Sequence, residues 1–98
     1  MTAIGERVLA VRSADETTLF IYGYGTYVGY ETPPVGTPHI FGPITQELVD
    51  IGYTNPKIEL DSGDVVWGAQ CWWGPVDKML DEYAIDREIE VVPVPEGE

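Results

Sequence analysis

The stretch Ile21–Tyr30, IYGYGTYVGY, sets the strongest limit on how this chain folds. Its tyrosines, valine and isoleucine favour a strand, whereas Gly23, Gly25 and Gly29 weaken a straight one and mark a bend, a bulge or a close backbone approach. Bends of this kind let a small sheet turn a corner, so the segment predicts a curled sheet. With unbroken alternation Tyr22, Tyr24 and Tyr30 share one face and Tyr27 takes the other; a bulge would shift that phase, so the faces stay open.

The flanking segments supply the rest of the sheet. Glu6 to Ser13 is apolar or alternating, and Ala14-Asp15-Glu16 forms a turn before Thr17 to Tyr22, which together predict a hairpin. Glu31 to Gly42 holds three prolines and two glycines and is a loop carrying His39. Pro43 suits the first position of a short helix in which Ile44, Leu48 and Ile51 recur on one side and Gly52 stops the run. Lys57 to Asp61 is expected to pair with Val65 to Trp73 across a two-residue Ser62-Gly63 turn. Gly74-Pro75 opens a second helix with the stripe Val76, Met79, Leu80, Tyr83 and with Asp77 in its first turn. Glu88 to Val94 closes the fold as an edge strand with Ile89 and Val91 inward, since Pro93 cannot donate to a ladder. The expectation is one α+β domain over the 98 residues: a bent, mostly antiparallel sheet of about five strands with an SH3-like barrel tendency, and two short helices. Residues 92–98 read as a frayed acidic tail.

The run VVWGAQCWWG, residues 65–74, holds all three tryptophans and the single cysteine. As one strand it would put Val65, Trp67, Ala69, Cys71 and Trp73 on one face and Val66, Gly68, Gln70 and Trp72 on the other. Trp67 and Trp73 then belong to the core, where each indole buries roughly 150–250 Å². Trp72 is the exception. Beside Gly68 and Gln70 it is either a second small core under a helix or a stacking platform next to an amide.

Charge narrows the partners. Seventeen acidic residues against five basic ones leave a net charge of −12, a surface that repels nucleic acid and anionic membranes. No apolar run approaches the ~20 residues of a membrane span, and Met1 to Glu6 lacks the basic start of a leader, so a cytoplasmic protein is expected. Asp77, Asp81, Glu82, Asp86, Glu88 and Glu90 form an acidic concentration that reads either as a solvated face or as a decoy for a basic protein.

Catalytic signals are few. Cys71 with His39 is the one conceivable thiol–imidazole pair, yet no neighbouring cation activates the thiol and alternation puts it between core tryptophans. A lone cysteine and a lone histidine do not make a structural zinc site, and GYGTYVG lacks the lysine and helix of a phosphate loop. No enzymatic activity, metal or cofactor is expected.

The set GERV, GYGTYVG followed by PP, NPKIELDSGDVVWG and CWWGP resembles a family of small proteins of bacteria and their viruses, over Gly5 to Pro75. The resemblance carries no activity. It implies a small phage-type accessory protein, a class in which compact anti-defence binders are frequent, working in the host cytoplasm if viral.

Two function classes follow. One is a non-enzymatic module that binds a small planar, nucleotide-derived ligand through Trp72, Gln70, Gly68, Tyr22, Tyr24 and Tyr27, with Arg12 and Lys57 as the cations for its charge. The other is an acidic protein–protein inhibitor acting on a basic host protein through Asp77 to Glu98. Surplus aromatic surface also leaves a homo-oligomer open.

Overall fold

The computed structural model describes residues 3–38 and 42–94. Strand β1 (Arg7–Ala14) runs into β2 (Thr18–Glu31) through a turn in which the Asp15 carboxylate accepts from the Thr17 and Thr18 N–H groups at 2.8 and 2.7 Å. These bonds stabilise the charged form and hold the Asp15 carboxyl below its usual range. The glycine-rich strand bends as anticipated. Ala10 pairs with Gly23 and Val11 with Ile21, so Tyr22 is an extra residue on β2; Ser13 then pairs with Phe20, which makes Arg12 an extra residue on β1. The first bulge reverses the phase of β2, so Tyr22 and Tyr27 enter one core and Tyr24 packs against the other.

Beyond the bend β2 pairs with β3 (Asn55–Leu60), and a Cβ on Gly25 would lie 2.4 Å from the Glu59 carbonyl oxygen, so only glycine lets the two backbones come this close. Before the bend the same side of β2 takes β6 (Glu88–Val91) in parallel. The connection from β3 to β4 (Val65–Trp67) is longer than the two-residue turn expected, since Leu60 N–H donates to the Asp64 carbonyl and Asp61, Ser62 and Gly63 make the loop. With β5 (Trp72–Pro75) the ladder order is β4-β3-β2-β1-β5, and β6 lies beside β2, giving six strands among the described residues.

The expected single strand over 65–73 is two strands on opposite edges of the sheet. Val65–Trp67 is β4, Trp72–Pro75 is β5, and Gly68–Gln70 between them is a 3-10 turn. Five strands laid flat at about 4.8 Å spacing would separate the outer two by roughly 19 Å. A link containing a 3-10 turn, at about 2.0 Å rise per residue, falls well short of that. The sheet therefore curls, although β4 and β5 do not pair and the barrel stays open. The break follows from Gly68 and from Gln70, whose side chain turns back to accept from the Trp67 N–H at 2.9 Å.

The curled sheet has two apolar faces. Inside lie Val8, Ala10, Tyr22, Tyr27, Ile58, Leu60, Val66 and Val92, with Trp73 packed against them. Val92, assigned to the tail by sequence, is thus a core residue. The outer face presents Leu9, Val11, Leu19 and Ile21, covered by α2 (Val76–Met79) and the π-helical turn Leu80–Ala84 that prolongs it. This helix is the crossover from β5 to the parallel β6, which explains why it lies across β1 and β2. Gly74 and Pro75, expected to open the helix, belong to β5 instead. Helix α1 (Gln46–Asp50) is capped by the Thr45 hydroxyl and ends where Tyr53 N–H bonds Leu48 O and Gly52 N–H bonds Val49 O. That arrangement needs the left-handed Gly52, φ 78°. Two inward assignments are corrected: Ile51 caps α1 at the surface, and Ile89 and Val91 lie exposed beyond the reach of α2. Among the described residues no helix is long and apolar enough to cross a membrane.

Candidate functional site

Three recesses meet at the 3-10 turn Gly68–Gln70, where the two sheet edges approach. The first, about 410 Å³, is lined by Arg12, Gly68, Ala69, Gln70, Cys71 and Trp72. The bulge on β1 releases Arg12 from the ladder; the residue lines this recess, and its guanidinium lies 5.6 Å from the Phe20 ring centre. Trp72 pairs with Val11 across the β1–β5 ladder and so shares the helix-covered face. Tyr83, on the turn that prolongs the helix, stacks its ring on the indole at 6.3 Å and 16°. Trp72 therefore remains 60% exposed while its ring plane is braced. Its neighbour Trp73 points inward and stacks on Tyr27 at 5.1 Å, and Trp67 is buried.

The other two recesses differ in chemistry. One of about 350 Å³ contains Lys57, Trp67, Pro34 and Pro38. Lys57 there is 3.2 Å from Glu31 and 6.0 Å from the Trp67 ring centre, so its charge is already answered. The largest, about 720 Å³, lies between α1 and Trp73 with Leu48, Tyr53, Pro43 and Pro56 in its walls. Among the described residues no charged side chain lines it, and the Asn55 amide, also in its wall, donates to Tyr53 Oη at 2.6 Å and accepts from the Ala69 N–H at 3.0 Å. Volume favours this cleft, but a recess that combines an open aromatic face with a cation offers more for recognition, so the Arg12–Trp72 recess is the stronger candidate.

The remaining cations stand elsewhere, and of the five only Arg12 lines this recess among the described residues. Arg7 makes a two-pronged bond to Asp61 at 2.7 and 2.5 Å, which holds the Asp61 carboxyl below its usual range. Arg87 donates to the Asp15 and Tyr83 carbonyls at 2.7 and 2.9 Å. Lys78 is exposed on α2. Neither Lys78 nor Arg12 has an ion pair among the described residues.

Of the residues expected to bind ligand, Arg12, Gly68, Gln70 and Trp72 come together in one recess. Lys57 lines a different one, and Tyr22, Tyr24 and Tyr27 line none of the three; Tyr22 and Tyr27 are 6% and 7% exposed. The Gln70 side chain is engaged at both ends, accepting from Trp67 N–H and donating to Pro38 O at 2.7 Å, which leaves mainly its backbone to face the recess. Gly68 serves packing, since a Cβ there would sit 2.7 Å from Trp73 Nε1. Sequence reasoning missed Tyr83 as the brace behind Trp72 and Phe20 as the partner of Arg12; the helical stripe had marked Tyr83 only as core. The acidic residues Asp77, Asp81, Glu82, Asp86, Glu88 and Glu90 are all exposed.

Burial pushes the Cys71 thiol up to about 12, and its Sγ donates to the Trp67 carbonyl at 3.6 Å. A protonated thiol is a poor nucleophile, and His39 lies outside the described residues. Among the described residues no cluster of three His, Cys, Asp or Glu side chains is placed to hold a metal ion. Compared with protein-family models, with curated proteins and with solved structures, the chain matches none, so geometry and chemistry carry the functional reading.

Proposed function

We propose that this protein is a non-enzymatic binding module that holds a small planar anion against Trp72. The ring of the ligand stacks on the exposed indole face, and its negative group meets the Arg12 guanidinium. Nucleotides and their derivatives have this combination of flat ring and anion. The observation that carries the reading is the juxtaposition itself: a braced but open indole and a cation without a carboxylate partner among the described residues border one recess of about 410 Å³. The resemblance to small phage-type proteins extends the proposal to sequestration of such a ligand in a host cytoplasm, an anti-defence role.

Isothermal titration calorimetry against a panel of nucleotides and cyclic nucleotides tests the reading. The expected result is binding of at least one of them, lost in Trp72→Ala because stacking on an aromatic is worth about 1–3 kcal/mol per base. Arg12→Ala should weaken binding and flatten its salt dependence. A panel that gives no heat with the parent protein, or binding untouched by both substitutions, would overturn it.

A further inference from the structure

We infer that the outer edge of β6 is a docking strand for a basic, extended segment of a partner protein, which adds to the sheet beside Glu88–Val91. β6 pairs only with β2, and the N–H groups of Glu88 and Val92 donate to Thr17 O and Ile21 O, each at 2.8 Å. Alternation along a strand turns the N–H and C=O groups of Ile89 and Val91 to the opposite side. No further strand pairs there among the described residues. Pro93, with no N–H to offer, follows immediately and limits the ladder to a short segment.

The side chains give this edge two unlike faces. Leu19 and Ile21, fully buried under α2, pair with Ile89 and Val91, yet these remain 42% and 67% exposed. An apolar strip thus continues the outer core past the point where the helix stops, and Ile85, 66% exposed, leads into it. On the other face stand Glu88 and Glu90, exposed and without an ion pair among the described residues.

Charge decides the occupant. A second copy pairing through this edge would set glutamates beside glutamates and join two bodies of net charge −12. Like charges directly across a ladder are destabilising, and carboxylates with a proline on a short edge are a common guard against self-pairing. A strand that alternates lysine or arginine with isoleucine or valine meets neither obstacle: its cations face Glu88 and Glu90 while its apolar side chains extend the strip of Ile89 and Val91. Strand addition of this kind takes affinity from main-chain bonds and specificity from alternate side chains. The proposal makes no use of the Arg12–Trp72 recess, so either can fail without the other.

The test uses the full chain and three synthetic peptides: KVKVKVK, a reordered peptide of the same composition with the valines contiguous, and EVEVEVE. Backbone amide NMR titration should show KVKVKVK shifting the Ile89 and Val91 amides, with the reordered peptide at least fivefold weaker and EVEVEVE inert. Glu88→Lys/Glu90→Lys should weaken KVKVKVK at least tenfold while the far-ultraviolet circular dichroism stays unchanged. If that pair fails to fold, the shift map of the parent protein still decides. Equal binding of the two lysine peptides, shifts centred away from β6, or self-association of the parent by sedimentation through this edge would each overturn the inference.

Discussion

Trp72 and Trp73 are adjacent in the chain, and each stacks on a tyrosine, yet they sit in opposite surroundings. Trp73 lies on Tyr27 at 5.1 Å inside the curled sheet; Trp72 lies on Tyr83 at 6.3 Å and is 60% exposed. Strand alternation alone sends the two indoles to opposite faces. What differs is the cover. The inner face is closed by the rest of the sheet, whereas the outer face is covered by a crossover helix that spans β1 and β2 and reaches the edge strands poorly. An aromatic on an edge strand under such a helix is held in place without being buried, a useful condition for a stacking surface.

The sharpest way to break this contrast is to truncate each indole. Trp73→Ala should cost about 3–5 kcal/mol, because a large core side chain is lost, whereas Trp72→Ala should lower stability far less. Urea midpoints measure both, and equal losses would mean that Trp72 is core. Gly68→Ala comes next: its methyl would press on Trp73 Nε1 and on Pro56, at 2.7 and 2.9 Å, and overpacking of this kind costs about 1–3 kcal/mol. A neutral result would show that the indole of Trp73 has room to move.

Tyr83→Leu keeps apolar volume over the outer core and removes only the stack on Trp72, worth about 0.5–1.5 kcal/mol. Thermal melting should record a loss in that range. The solvent exposure of Trp72, read by acrylamide quenching in a variant whose other tryptophans are phenylalanine, should increase. The smallest effect concerns pH. The Cys71 thiol, with an ordinary value of 9.0, is pushed to about 12 in the fold, so the unfolded chain ionises first. Stability is unaffected below pH 9 and declines as pH rises from 9 towards 12. Cys71→Ala should lessen that decline between pH 8 and pH 10.5. Some slope will remain from Tyr22, which burial also raises.

These outcomes bear on how much of the molecule was legible in the sequence. The glycines of IYGYGTYVGY announced a bend, and the α+β class with its two short helices followed from punctuation by Gly and Pro and from the apolar spacing. The faces beyond the bend were not legible, because the extra Tyr22 reverses the phase and no local signal says where a bulge falls. The break of residues 65–73 was hidden for a related reason: the run reads as continuous β-formers, and only the return of Gln70 to Trp67 N–H and the tight fit of Gly68 on Trp73 show the turn. For the site, Trp72 stood out because it would share a face with Gly68 and Gln70, whereas Arg12 was picked with Lys57 only as one of the few cations near a strand end. The meeting of Trp72 with Arg12 depends on the pairing that sets β5 beside β1 and joins segments about sixty residues apart, a tertiary event. Ile89 and Val91 were misread because alternation identifies a shared face but not whether a helix reaches far enough to cover it.

The central claim, that Trp72 is a ligand platform and its neighbours are not, is tested most directly by following the three indole N–H signals in an NMR titration with the nucleotides of the panel. The account predicts that the Trp72 indole and the Arg12 side-chain Nε–H shift together and saturably, while the Trp67 and Trp73 indoles stay in place. An unmoved Trp72 at millimolar nucleotide, or equal movement of all three indoles, would contradict it.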